Sequence, residues 1–99
     1  MDTASDRVVF SGANVYVQSG SGSTNDGCSL TGLGNLIVGY DGSSGDTKSG
    51  SHNLVVGTDH SYTSYAGAVF GFDNTISAAY ATVTGGYSNT TSSDLDVLP

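Results

Sequence analysis

The chain has 99 residues, enough for one domain but too few to bury a large conventional core. Gly, Ser, Thr and Asn make up 48 of them and only 36% are apolar, a composition close to low-complexity sequence. Nine Asp, no Glu, and only Arg7 and Lys48 on the basic side give a net charge of -7, which repels a phosphate backbone and excludes nucleic acid as a partner.

Taken in chain order, Val8-Val9-Phe10 and Val15-Tyr16-Val17 are strand-like runs separated by Ser11-Gly12, and they predict a first coil. Residues 18 to 31 are turn formers with little to bury, so they read as a projecting loop. Cys28 within it is the only cysteine and has no basic neighbour, so it reads as a loop thiol rather than a disulfide partner or nucleophile. No run approaches 18 apolar residues, which predicts no membrane span, and the first residues lack the order of a signal peptide. The chain therefore either stays inside the cell or starts as an excised fragment, and its Ser/Thr/Asn/Gly richness points to an extracellular or cell-surface protein.

From residue 32 a repeat takes over. Asn35-Leu-Ile-Val-Gly39, Asn53-Leu-Val-Val-Gly57, Gly67-Ala-Val-Phe-Gly71 and Ala81-Thr-Val-Thr-Gly85 are short apolar runs, and their closing glycines are 18, 14 and 14 residues apart. The interval is too short for paired helices and suits a solenoid whose every turn holds two short strands. The 18-residue step contains a second loop, residues 41 to 50. The last two units align better at 15 residues, Tyr65 to Ser77 over Tyr80 to Ser92, which places the coil turns at Gly39, Gly57, Gly71 and Gly86.

Within each unit the first strand is apolar throughout: Leu36, Ile37, Val38; Leu54, Val55, Val56; Ala68, Val69, Phe70; then Val83. A strand with one wet face would alternate, so both faces of this strand are expected to be buried. The second strand does alternate, as Ser61-Tyr62-Thr63, Thr75-Ile76-Ser77 and Thr90-Thr91-Ser92, which predicts one inward side chain per coil. A coil of about 14 residues encloses only one face of each strand, so the first strand's other face needs sister chains, and a closed homo-oligomer follows. In the 15-residue alignment Thr84 and Gly85 stand where Val69 and Phe70 stood, so packing is expected to loosen in the last coil. The expected architecture is an all-β parallel β-roll, or β-solenoid, of about five two-strand coils. It divides into residues 1–31 (opening strands and loop), 32–92 (repeat domain) and 93–99 (cap or connector).

Residues 32 to 92, through Asn53-Leu-Val-Val-Gly57, Ala66-Gly-Ala-Val-Phe-Gly71 and Ala81-Thr-Val-Thr-Gly-Gly86 with the return strands Asn74-Thr-Ile-Ser77 and Asn89-Thr-Thr-Ser92, resemble the head repeats of trimeric autotransporter adhesins. The resemblance implies a left-handed parallel β-roll, a homotrimer, and a place on a bacterial surface where it sticks to host matrix, glycan or other cells. The family's coiled-coil stalk and anchor barrel are not in this sequence, so a head fragment, a phage-fibre head or a filament subunit that adds end to end are all compatible contexts.

Chemistry is sparse. Asp41, Asp59 and Asp73 each follow a repeat glycine by two residues and are expected to stack, where a cation such as Ca²⁺ or turn-capping hydrogen bonds would offset their repulsion. The Gly-Gly-x-Gly-x-Asp pattern of calcium-binding rolls is absent. His52 and His60 have no Cys or carboxylate at metal-ligand spacing, and no Gly-x-Ser-x-Gly elbow or helix accompanies the many serines, so no catalytic residue and no cofactor are expected. Asn35 with Asn53, and Asn74 with Asn89, predict hydrogen-bonded ladders. Tyr65 with Tyr80, and Phe72 with Tyr87, predict aromatic rows. Asn89-Thr90-Thr91 matches a glycosylation triplet, and Thr82-Val-Thr84 is the only Thr-x-Thr, too little for an ice-binding lattice.

Overall fold

The computed structural model describes residues 6–42, 45–94 and 97–98. Among them eight short strands wind into a parallel β-solenoid of about four turns, with a single 3₁₀ turn at Asp26–Cys28. Strands β1 (Leu36–Val38), β2 (Leu54–Thr58), β4 (Ala68–Phe72), β6 (Thr82–Val83) and β8 (Val97–Leu98) make a five-stranded sheet in the order β1-β2-β4-β6-β8. The return strands β3 (Ser61–Tyr62), β5 (Thr75–Ile76) and β7 (Thr90–Thr91) make a three-stranded sheet, and Lys48 extends it by pairing with Tyr62.

Register follows the repeat. Ile37, Val55, Val69, Val83 and Leu98 lie side by side on the inner face of the large sheet, and Tyr62, Ile76 and Thr91 line the inner face of the small one. Val55, Tyr62, Val69, Ile76 and Val83 form the core, with Leu98 against it. Each enclosed aliphatic side chain contributes about 1.5–3 kcal/mol. The alternation of Ser, Thr and apolar residues in the return strands thus marks one inward side chain per coil, as expected.

Three expectations are corrected. Val8–Phe10 and Val15–Val17 form no strand, and their side chains are exposed, so the solenoid begins at β1 and has about four turns rather than five. Within one chain the first strand buries one face only, as expected of a coil of this size: the side chains of Leu36, Leu54 and Ala68, and of Val38, Val56 and Phe70, occupy outer rows that are half-buried or exposed. The last coil does not loosen, because Val83 rather than Thr84 pairs with Val69 and is fully buried. Pairing is 14 residues apart there and 15 apart at Phe72 and Tyr87, so the extra residue enters after the strand, around Gly85, where nothing crowds the backbone. Finally, within residues 93–99, Val97 and Leu98 do not leave the repeat but pair with Thr82 and Val83. The parts of these expectations that fall on residues 1–5, 43–44, 95–96 and 99 lie outside the described residues.

The corners explain the spacing of the glycines. Gly39, Gly57, Gly71 and Gly86 all have φ between 93° and 116°, a backbone state that side chains oppose. At Gly57 there is a second reason: a Cβ would run into the Gly71 carbonyl of the next coil. Two residues on, Asp41, Asp59, Asp73 and Ser88 hold left-handed φ of 45–62°. Asp and Ser tolerate that state because their short polar side chains bond locally.

Candidate functional site

Three features have the position and chemistry to do something: two polar ladders inside the corners, the loop that ends at residue 31, and the outer faces of the two sheets.

The first ladder runs through Asn35 and Asn53. Asn53 N–H donates to Asn35 Oδ1 at 2.9 Å, and Gly67 N–H donates to Asn53 Oδ1 at 2.9 Å, while the amide nitrogens donate to the carbonyls of Gly50 and Ser64. The second is longer than the pair Asn74 and Asn89. His60 N–H donates to Asp41 Oδ1 at 2.9 Å, Asn74 N–H to His60 Nδ1 at 3.1 Å, and Asn89 N–H to Asn74 Oδ1 at 2.7 Å. His60 is fully buried, and its Nε2 donates to the Val56 carbonyl at 2.9 Å. A backbone N–H is donor only, so Nδ1 must be the bare nitrogen and the imidazole neutral. The sequence carried a signal for this role, since Asp59-His60 occupies the repeat position of Asp73-Asn74.

The three aspartates share a corner but not a site. Asp41 is buried and pairs with Lys48 Nζ at 2.9 Å, and that ammonium also donates to the His60 carbonyl and lies 5.7 Å from the centre of the Tyr62 ring. Burial first, and the Asp41 carboxylate second, push the Tyr62 phenol above its ordinary range. Asp59 accepts from Thr58 Oγ1, and Asp73 from Ser88 Oγ. Among the described residues no three His, Cys or Asp side chains gather to hold a metal ion. No helix among them is long and apolar enough to cross a membrane.

The loop is built around Asp26. Its carboxylate accepts from Ser19 Oγ, Ser21 Oγ, Thr31 N–H and Thr31 Oγ1, and Ser51 Oγ accepts from the N–H groups of Thr31 and Gly32. The hydroxyls of Ser19 and Ser21 are the chief reason that the Asp26 carboxyl is held far below the usual carboxylate range. His52 closes the loop from the solenoid side: Ser19 N–H donates to Nε2 at 3.0 Å and Nδ1 donates to the Thr24 carbonyl at 2.8 Å. Instead of projecting freely, the segment folds back on Ser51 and His52. Between it and residues 16–20 lies a cleft of about 550 Å³ with His52 in its wall. Cys28 is exposed on this loop.

The outer faces differ sharply. On the small sheet Ser61, Thr75 and Thr90 face away from the core. On the large sheet the outward rows are Leu36, Leu54, Ala68 and Thr82, and Val38, Val56 and Phe70. Leu36 and Val38 remain 51% and 52% exposed, and even the inward-row Ile37 is 43% exposed at this open end. The expected aromatic rows form pairs: Phe72 and Tyr87 stack at 5.2 Å with planes 6° apart, and Tyr65 meets Tyr80 edge-on at 5.4 Å. Comparison of the chain with protein-family models, with curated proteins and with solved structures gives no match.

Proposed function

We propose that the chain is a non-enzymatic structural and adhesive head, a homotrimeric β-roll of the trimeric autotransporter adhesin kind, displayed on a bacterial surface or fibre. The observation that carries this reading is the contrast between the two outer faces. The return sheet presents Ser and Thr to water, whereas the large sheet presents Leu, Val, Ala and Phe. A stripe of half-buried to exposed apolar side chains on one face of a small acidic domain is an association surface. Cyclic symmetry lets identical copies cover the same stripe. The apolar residues of 8–17, uncovered within one chain, would gain cover in the same assembly.

In this reading no residue is catalytic and no cofactor is used. The work is display: stacked backbone hydrogen bonds and side-chain ladders make a stiff rod, and the polar face and the loops 18–31 and 41–50 meet a host matrix, glycan or cell-surface partner. A second reading, a filament subunit, has one observation in its favour. β1 and β8 are the outer strands of an all-parallel sheet, and the inner row is apolar at both, Ile37 and Leu98, so one end can continue another in register.

Sedimentation equilibrium decides between them. A three-chain mass that is constant with concentration, and reduced to one chain by Phe70→Asp on the outer row, supports the trimer. Growth with concentration that survives Phe70→Asp supports the filament. A folded wild-type monomer at micromolar concentration overturns both.

A further inference from the structure

We infer that His52 is an acid-sensitive latch that holds the segment 19–31 against the solenoid only while its imidazole is neutral. Nε2 receives Ser19 N–H at 3.0 Å and Nδ1 faces the Thr24 carbonyl at 2.8 Å. The first partner can only donate and the second can only accept, so the ring is the tautomer with its proton on Nδ1 and a lone pair on Nε2. An imidazolium carries protons on both nitrogens. Protonation therefore sets Nε2–H against Ser19 N–H, donor to donor, and removes one of the two bonds by which the ring holds the loop. On its other side the ring packs on the Gly34 backbone, where a Cβ would meet its Cδ2 and Nε2 atoms.

Packed against the ring are Gly34, the backbone at Ser19 and Thr24, and the cleft wall, whose other ionisable group is the Tyr16 phenol. The loop's own acid, Asp26, is engaged by Ser19, Ser21 and Thr31, and its loop partner Cys28 is exposed. Because the hydroxyls hold the Asp26 carboxyl low, its network stays charged and in place while an imidazole titrates. Loss of the histidine bond leaves the loop hinged on its remaining bonds to Ser51. The outcome is a wider cleft between residues 16–20 and 22–24 under mildly acid conditions. This inference does not rest on the oligomeric reading above.

The test follows the full-length chain by nitrogen NMR between about pH 8 and about pH 5, the span in which imidazoles titrate. His60 is replaced by Asn in a parallel sample, so that the only histidine left is His52. At the upper pH the His52 ring nitrogens should report a bare Nε2 and a protonated Nδ1. As the ring takes up its proton, the Ser19 amide should lose protection by about tenfold, the worth of one hydrogen bond, with Val55 and Val69 amides unchanged. His52→Gln, whose side-chain oxygen and amide can stand in for Nε2 and Nδ1–H without titrating, should remove the pH dependence. The inference is overturned if the ring stays neutral across the span, if it protonates with no change at Ser19 and Thr24, or if His52→Gln shows the same acid loss. Should His52→Gln detach the loop at every pH, coincidence of the ring and Ser19 titrations in the parent chain decides.

Discussion

His60 Nδ1 accepts the Asn74 N–H at 3.1 Å while Nε2 donates to the Val56 carbonyl at 2.9 Å, and Asn74 makes the same two bonds one coil later, to the Asn89 N–H and the Phe70 carbonyl. The imidazole is thus a stand-in for an asparagine in a ladder that ties one coil to the next. Burying these groups unpaired would cost more than the bonds return, so the ladder specifies which coil stacks on which.

His60→Asn should therefore be tolerated, within about 1 kcal/mol of the parent, because Oδ1 and Nδ2 reproduce both bonds. His60→Ala should cost about 3 kcal/mol, since it strands a donor and an acceptor and leaves a void. Thermal unfolding of the two variants side by side checks the contrast.

The corner residues make opposite predictions at neighbouring positions. Gly57→Ala should cost about 3 kcal/mol or more, or prevent folding, because both φ of 116° and the Gly71 carbonyl exclude a methyl group. Ala66 holds a φ of 58° without a polar side chain to stabilise it, so Ala66→Gly should raise stability by about 0.5–1 kcal/mol. Chemical denaturation measures both, and a neutral Gly57→Ala would refute the stacking of these corners.

Thr91 stands in the inner row behind Tyr62 and Ile76, and its buried hydroxyl finds no hydrogen-bond partner among the described residues. Thr91→Val keeps the shape and removes the unpaired oxygen, so the melting temperature should rise, by an amount equivalent to about 1 kcal/mol.

Acid should act on the loop in a second, lower range. The Asp26 carboxyl is depressed in the folded chain by the Ser19 and Ser21 hydroxyls, so its contribution to loop order is complete above the ordinary carboxylate value of about 4 and declines as pH falls below it. Asp26→Asn should abolish that low-pH dependence and loosen residues 19–31 already at neutral pH. Amide signals of Thr31 and Gly27 recorded down to about pH 2 report the difference. Loop signals that melt identically in parent and variant would show that another group holds the segment.

Much of this was legible from residue order because a solenoid is assembled from neighbours. The 14-residue step, the apolar triplets, the alternating Ser and Thr and the recurring glycines all report a local event repeated, so the apolar strand of each coil, the inward Tyr62 and Ile76 and the ladder asparagines could be read directly. What misled was the treatment of local pattern as sufficient. Val8–Phe10 and Val15–Val17 have strand composition, yet no coil lies beside them to supply hydrogen bonds, and they remain unpaired. The 15-residue alignment put Thr84 against Val69, whereas backbone pairing keeps 14 residues through the strand and admits the extra residue only near Gly85.

The sequence by itself determined that the chain coils, where it turns and which face of each return strand is enclosed, since a period-two side-chain alternation and a φ reserved for glycine are properties of single residues and their nearest neighbours. Only the tertiary structure decided what His52 does, that Asp41 pairs with Lys48, and that residues 19–31 fold back onto the roll. Those outcomes depend on which donor meets which acceptor at sequence separations of 7 to 33, and no repeat encodes that meeting.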